Sequence, residues 1–338
     1  MNYALLVLAT TATVAGSLLY RNVALQRGII AKISSRTLHD RTVARGGGVV
    51  FASVFAVAIF LTWLRGGLPT WVMLALGVGG IAAAVVGFVD DVYEVSPLKK
   101  LATQICLAIW LFVVFYAPLY QQLFLNAGVI ERLLAILTLI FIPVWLINLY
   151  NFIDGIDGMA ISAAVFVCAT GTIVVALTGG SSVTFFLFSF LGASCLGFLF
   201  LNIPPARIFM GDAGSIFLGY CIAAILLLTV EEAEISAWTW ICMLSYYVAD
   251  TTTTTVSRMF LVKRWYGVHR SHAYQNLARI HKSHAKVTYG VVLYNILWAL
   301  PLSVWSALRP EWRPIAALVS VAPAVVWTLR FGPRLSSD

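Results

Sequence analysis

The side chains able to do chemistry in this 338-residue chain are gathered in a few short stretches, and the richest reads Asn148-Leu-Tyr-Asn151-Phe-Ile-Asp154-Gly155-Ile-Asp157-Gly158. Polar residues recur at every third position behind a wholly apolar run. On a helix that spacing turns each side chain by about 60° from the one before, so Asn148, Asn151 and Asp154 share a face until the glycines release the backbone. Carboxylate and amide oxygens beside tight turns suit a hard cation: Mg²⁺, with Mn²⁺ as substitute, takes such donors, keeps some water and is completed by substrate phosphates. A structural alternative stands beside it, in which the asparagines bond between helices and the Asp-Gly steps make turns.

Two more carboxylate motifs and one cationic stretch complete the set. Asp90 and Asp91 are adjacent where an apolar run ends, with Lys99 and Lys100 opening the next. Such a pair repels itself and calls for a balancing cation or phosphate chemistry, unless it is a solvated helix end. In Gly211-Asp212-Ala213-Gly214-Ser215 a glycine-flanked carboxylate stands at a helix start, where free backbone N–H groups welcome phosphate; an ordinary N-cap is the plain alternative. The stretch from Lys263 to Arg279 holds His269, Arg270 and His272 among other cations. Without an accompanying Cys it fits a diphosphate clamp better than zinc, with topology alone as the bland account. Arg45 before Gly46-Gly47-Gly48 offers a further guanidinium beside bare backbone.

The elements that carry these motifs are apolar. Hydrophobic residues make up 61% of the chain and charged ones 11%, which a water-soluble domain does not sustain. Eleven runs of bilayer-crossing length can be marked, at 2–20, 46–64, 70–89, 101–118, 132–150, 158–178, 183–201, 213–230, 235–261, 287–308 and 313–330. The first lacks a basic leader and is read as a retained helix with its N-terminus outside. Loops 21–45, 90–100, 150–158, 202–212 and 262–286, the tail and two flanking helix ends then hold 18 of the 22 Lys and Arg residues, which marks their face as cytoplasmic. All the motifs fall on that face. The expected fold is all-α, a polytopic membrane bundle of about 11 helices, with residues 1–338 as one domain and no soluble domain. The net charge of +8 is read as topology and anion attraction, with no nucleic acid partner. The five cysteines lie inside apolar runs, without metal spacing or a disulfide framework.

In this order the motifs resemble those of the polyprenyl-phosphate N-acetylhexosamine-1-phosphate transferases, which include the bacterial enzymes that start O-antigen and common antigen and the phospho-MurNAc-pentapeptide translocase. The resemblance covers nearly the whole chain, Arg36-Thr-Leu-His39 and Arg45-Gly-Gly included. It implies Asn151 and Asp212 as Mg²⁺ ligands, Asp90, Asp91, Asp154 and Asp157 as catalytic carboxylates, and Arg45, Lys100, Asn148, Gly211, Ser215, His269, Arg270 and His272 as substrate contacts. The implied reaction moves a HexNAc-1-phosphate (N-acetylfucosamine, N-acetylquinovosamine or GlcNAc type) from a UDP-sugar to undecaprenyl phosphate, releasing UMP, at a bacterial inner membrane, with a homodimer expected. The last loop lacks the translocase's contiguous triple histidine. Phospho-MurNAc-pentapeptide transfer and an ion-coupled transporter, whose acids would sit at mid-bilayer in repeats, are the alternatives.

Overall fold

The computed structural model describes residues 3–31, 43–93, 95–261 and 271–333. Thirteen helices and a short helical extension of the fourth, Gln121–Asn126, organise them: α1 Tyr3–Gln26, α2 Gly48–Leu64, α3 Thr70–Tyr93, α4 Pro97–Tyr120, α5 Val129–Ile153, α6 Met159–Thr178, α7 Ser182–Asn202, α8 Gly211–Glu231, α9 Ala237–Met243, α10 Ser245–Leu261, α11 Ala273–His281, α12 His284–Leu308 and α13 Pro310–Phe331. Among the described residues there is no strand, only single backbone bridges joining Ala44 to Ile30 and to Ile208.

The all-α membrane bundle is as expected. Nine of these helices are long and apolar enough to cross a membrane among the described residues. The other two expected spans are present in shortened form. The run at 46–64 is the 17-residue α2, about 26 Å at 1.5 Å per residue. The run at 235–261 is broken at Leu244 into α9 and α10. Outward-facing Ile130, Leu133, Leu134, Leu137 and Phe141 recur three to four residues apart on α5, the stripe a helix offers to lipid.

α8 is the axis of the bundle. It is almost wholly buried and packs against α2, α3 and α5. Phe51 and Phe55 of α2 meet Phe217 of α8 edge-on at 5.8 and 6.1 Å, and Phe51 meets Phe198 of α7 at 5.2 Å, an arrangement aromatic quadrupoles favour. Near one end, Gly87 of α3 rests on the backbone of Asp212 and Ala213, where any Cβ would collide. That close approach brings the end of α3, and with it Asp90 and Asp91, onto the first turn of α8. α4 starts at the same end, with Ser96 as N-cap and Pro97 at its first position, a residue pre-set for helix entry that has no N–H to lose. Lys100 therefore lies on its first turn.

Candidate active site

Five elements place their polar residues at this end: the segment before α2, the end of α3, the starts of α4 and α8, and the end of α5. Asp212 is where they meet. Its Oδ1 accepts from Asn151 Nδ2 at 3.2 Å and faces Arg45 Nη2 at 3.4 Å, while its Oδ2 accepts from Lys100 Nζ at 3.1 Å. Lys100 also pairs with Asp90, whose Oδ1 accepts the Val95 N–H at 2.8 Å. Asn151 reaches Ser215 Oγ as well, at 3.3 Å. Residues from three motifs far apart in the chain thus converge on one carboxylate.

Asp91 is engaged differently. Its side chain is 0% exposed, and its two oxygens accept the N–H groups of Asp212 and Ala213 at 2.9 and 3.0 Å, satisfying two donors that a helix start leaves open. Arg45 Nε lies 2.8 Å from Asp91 Oδ1. Gly211 has φ +68 and lies against the Asp91 carboxylate; a side chain there would be strained and would displace it. Arg45 is held by its backbone neighbours: Phe209 N–H donates to Ala44 O at 2.8 Å, Gly47 N–H to Phe209 O at 2.9 Å, and Tyr20 Oη to Arg45 O at 2.8 Å.

Asp154 follows the last residue of α5 and caps that helix. Burial, reinforced by the neighbouring Asp212 charge, pushes its carboxyl well above the usual range against the pull of Arg45. Four carboxyl groups (Asp90, Asp91, Asp154, Asp212) face two cations (Arg45, Lys100), so acids outnumber bases in a confined place, and the raised affinity of Asp154 for its proton is one consequence.

Other expected site residues lie elsewhere. Asn148 exchanges amide hydrogen bonds with Gln104 of α4, at 2.7 and 3.4 Å, one turn behind Asn151. Asp157 is 7% exposed; its Oδ2 accepts the Ala206 N–H at 3.0 Å, its Oδ1 lies 3.1 Å from His284 Nδ1, and its carbonyl accepts from Thr288 at 2.7 Å. It ties α6, α12 and the 203–208 segment together. His272 is 2% exposed and packs on Phe152. His269 and Arg270, like Arg36 and His39, lie outside the described residues. Gln104, His284 and Tyr274, whose hydroxyl donates to Phe152 O at 2.6 Å, were not singled out from sequence. A signal existed for Gln104, a lone amide one turn beyond Lys100 in an apolar helix.

Residues 73–230 match the family described as Glycosyl transferase family 4. The chain is 30% identical over 293 residues to a probable undecaprenyl-phosphate N-acetylglucosaminyl 1-phosphate transferase of Bacillus subtilis, covering 83% of this chain and 78% of the relative. It is 30% identical over 222 residues to a decaprenyl-phosphate N-acetylglucosaminephosphotransferase of Mycolicibacterium smegmatis, covering 60% of this chain and 54% of that one. A phospho-N-acetylmuramoyl-pentapeptide-transferase of Heliobacterium modesticaldum is 33% identical over 206 residues, 55% of this chain and 60% of its own.

Proposed function

The chain belongs to glycosyl transferase family 4, the polyprenyl-phosphate N-acetylhexosamine-1-phosphate transferases, and from that premise we propose that it passes a HexNAc-1-phosphate from a UDP-sugar to undecaprenyl phosphate. An oxygen of the lipid phosphate attacks the β-phosphorus of the donor, the bond from that phosphorus to the bridging oxygen breaks, and UMP leaves. The product is a lipid diphosphosugar, the first membrane intermediate of a cell-surface polysaccharide such as O-antigen. One reactant is a lipid and the other a cytosolic nucleotide, which accounts for a multi-pass protein with its polar cluster at helix ends on the inner face of a bacterial plasma membrane.

The observation that carries the reading is the convergence of Arg45, Lys100 and Asn151 on Asp212. Both reactants are anions, so repulsion must be cancelled before the phosphorus can be reached. Lys100 and Arg45 are cations already concentrated there. A lipid phosphate is largely ionised near neutral pH, so no strong base is needed; Asp90, beside Lys100, assists the attacking group. Asp91 positions Asp212 through the backbone of α8.

The donor set fits a divalent cation. Among the described residues no three His, Cys, Asp or Glu form a metal cage, and Mg²⁺ does not require one: a carboxylate and an amide, with water and phosphate, are enough. Asp212 and Asn151 would hold it, with Asp154 adjacent, and the carboxylate excess balances its charge. Bound there, the ion would neutralise the diphosphate and the charge developing on the leaving UMP.

The transporter alternative expects acids at mid-bilayer, whereas this cluster is at helix ends in a transferase family. The test is UMP release by purified protein with undecaprenyl phosphate, Mg²⁺ and a panel of UDP-HexNAc donors that includes UDP-MurNAc-pentapeptide. Release with a simple UDP-HexNAc is expected. No release with any donor overturns the reading.

A further inference from the structure

We propose that Asp250 is a positioning residue, which acts through His272 and the start of α11 to hold the stretch carrying Asn151 and Asp154 in place. This rests on the transferase reading above. Asp250 lies on α10 with no accessible surface, away from the Asp212 cluster. Its Oδ1 accepts the N–H of Ala273, the first residue of α11, at 2.9 Å, and the hydroxyls of Thr254 and of Thr328 on α13 face the same oxygen at 3.5 Å. The backbone N–H of Tyr274 also points to this carboxylate, and its Oδ2, which makes no close hydrogen bond among the described residues, stands 3.7 Å from His272 Nδ1. A carboxylate shut away from water is costly unless donors or positive charge compensate it, so the imidazole at that distance is its natural counterpart.

From His272 the contacts continue to the reacting end. The imidazole packs on the Phe152 ring at 5.6 Å and on Tyr274 at 5.9 Å. Tyr274 Oη donates to the Phe152 carbonyl at 2.6 Å, and Gln275 Nε2 donates to Tyr274 Oη at 3.1 Å. Gly155 leaves the room that Tyr274 and Gln275 fill. Phe152 lies between Asn151 and Asp154, so fixing its ring and carbonyl fixes both neighbours. A second tie, Arg258 Nη1 donating to Ser271 Oγ at 3.1 Å, joins α10 to the residue before His272. At 2% exposure His272 has little surface to offer a substrate, and its burial suits a joint.

Asp250→Asn separates two roles. Asparagine still accepts the Ala273 N–H, because Asn caps helices as well as Asp does, but it puts an amide NH₂ where the carboxylate Oδ2 faced His272. UMP release by purified Asp250→Asn, His272→Ala and the double variant, with the donor that wild type uses, tests the idea. Asp250→Asn is expected to lower kcat about tenfold, the scale of a sub-ångström misplacement, with KM for undecaprenyl phosphate and the thermal midpoint near wild type. The double variant should be no slower than His272→Ala alone. Wild-type kinetics in Asp250→Asn, or losses that multiply in the double variant, would overturn the proposal. If Asp250→Asn does not fold, Tyr274→Phe removes the last bond of the chain at little structural cost; an unchanged kcat there overturns it equally. A wild type that releases no UMP is a separate result, which removes the transferase reading first.

Discussion

Both oxygens of the Asp91 carboxylate accept backbone N–H groups of α8, from Asp212 at 2.9 Å and Ala213 at 3.0 Å. The second member of the Asp-Asp pair is therefore spent on the helix that carries Asp212, while the first faces Lys100. Adjacent residues of one type have unlike tasks. Replacing Asp91 with Ala leaves the N–H groups of Asp212 and Ala213 without their acceptor and takes from Arg45 the closer of its two carboxylates, leaving it Asp212. Loss of a cap costs about 1 kcal/mol, and the half-exposed Arg45 pair adds at most about 1 kcal/mol more. Asp91→Ala is expected to melt earlier than wild type in detergent and to lose activity, whereas Asp90→Ala loses activity with a smaller change in melting. Equal melting of the two variants would contradict this division.

Lys100 holds Asp90 and Asp212 together, and it competes with any divalent ion for the Asp212 oxygens. Lys100→Met is expected to lower kcat by about 100-fold, as loss of a preorganised charge does, while the half-saturating Mg²⁺ concentration falls. Asp212→Asn should raise that concentration at least about tenfold, since half of the proposed protein ligand set loses its charge. EDTA should abolish UMP release, and Mg²⁺ or Mn²⁺ should restore it. Mg²⁺ titrations of the three proteins decide the matter; full activity in EDTA would remove the metal from the reaction.

The Gln104–Asn148 amide pair sets the register of α4 against α5, one turn from Lys100 on one helix and one turn from Asn151 on the other. Cutting one partner leaves a buried amide unsatisfied, and cutting both does not. Gln104→Leu and Asn148→Leu are each expected to destabilise by about 1 kcal/mol, the double variant by less than their sum. Thermal melts of the four proteins close the cycle; additive losses would mean the pair sets no register.

The bundle was legible because lipid imposes one rule: long apolar runs must become helices that satisfy their own backbone, so composition and run length sufficed. The convergence on Asp212 was legible because each motif ended an apolar run on one side of a charge-asymmetric chain. Partners were not. Asn148 and Asn151 share a face and a residue type, yet Asn148 turns to Gln104 and Asn151 to Asp212, a choice made by neighbouring helices that no local spacing encodes. Asp154 and Asp157 precede glycines alike, but His284 and Ala206 claim Asp157 from positions over 45 residues away. The break in the run at 235–261 is not legible in hydropathy, which averages over a single residue such as Leu244.

The contrast between Asp154 and Asp157 gives a test that separates a strut from a reacting group. Asp157 accepts bonds from two other elements, so Asp157→Ala should lose stability and activity together. Asp154 is half-buried near Asp212, and desolvation holds its carboxyl above the ordinary value. Between the unfolded value of about 3.9 and that raised value, the folded state binds more protons than the unfolded one, so stability falls as pH rises through the window. Asp154→Asn removes this slope. Without Mg²⁺ it should melt higher than wild type on the alkaline side of the window and match it on the acid side, while releasing little UMP, as expected of a site that trades stability for function. Melting curves from pH 4 upward, on both variants and wild type, read this directly. An Asp154→Asn protein less stable than wild type at neutral pH would assign that carboxylate a structural task instead.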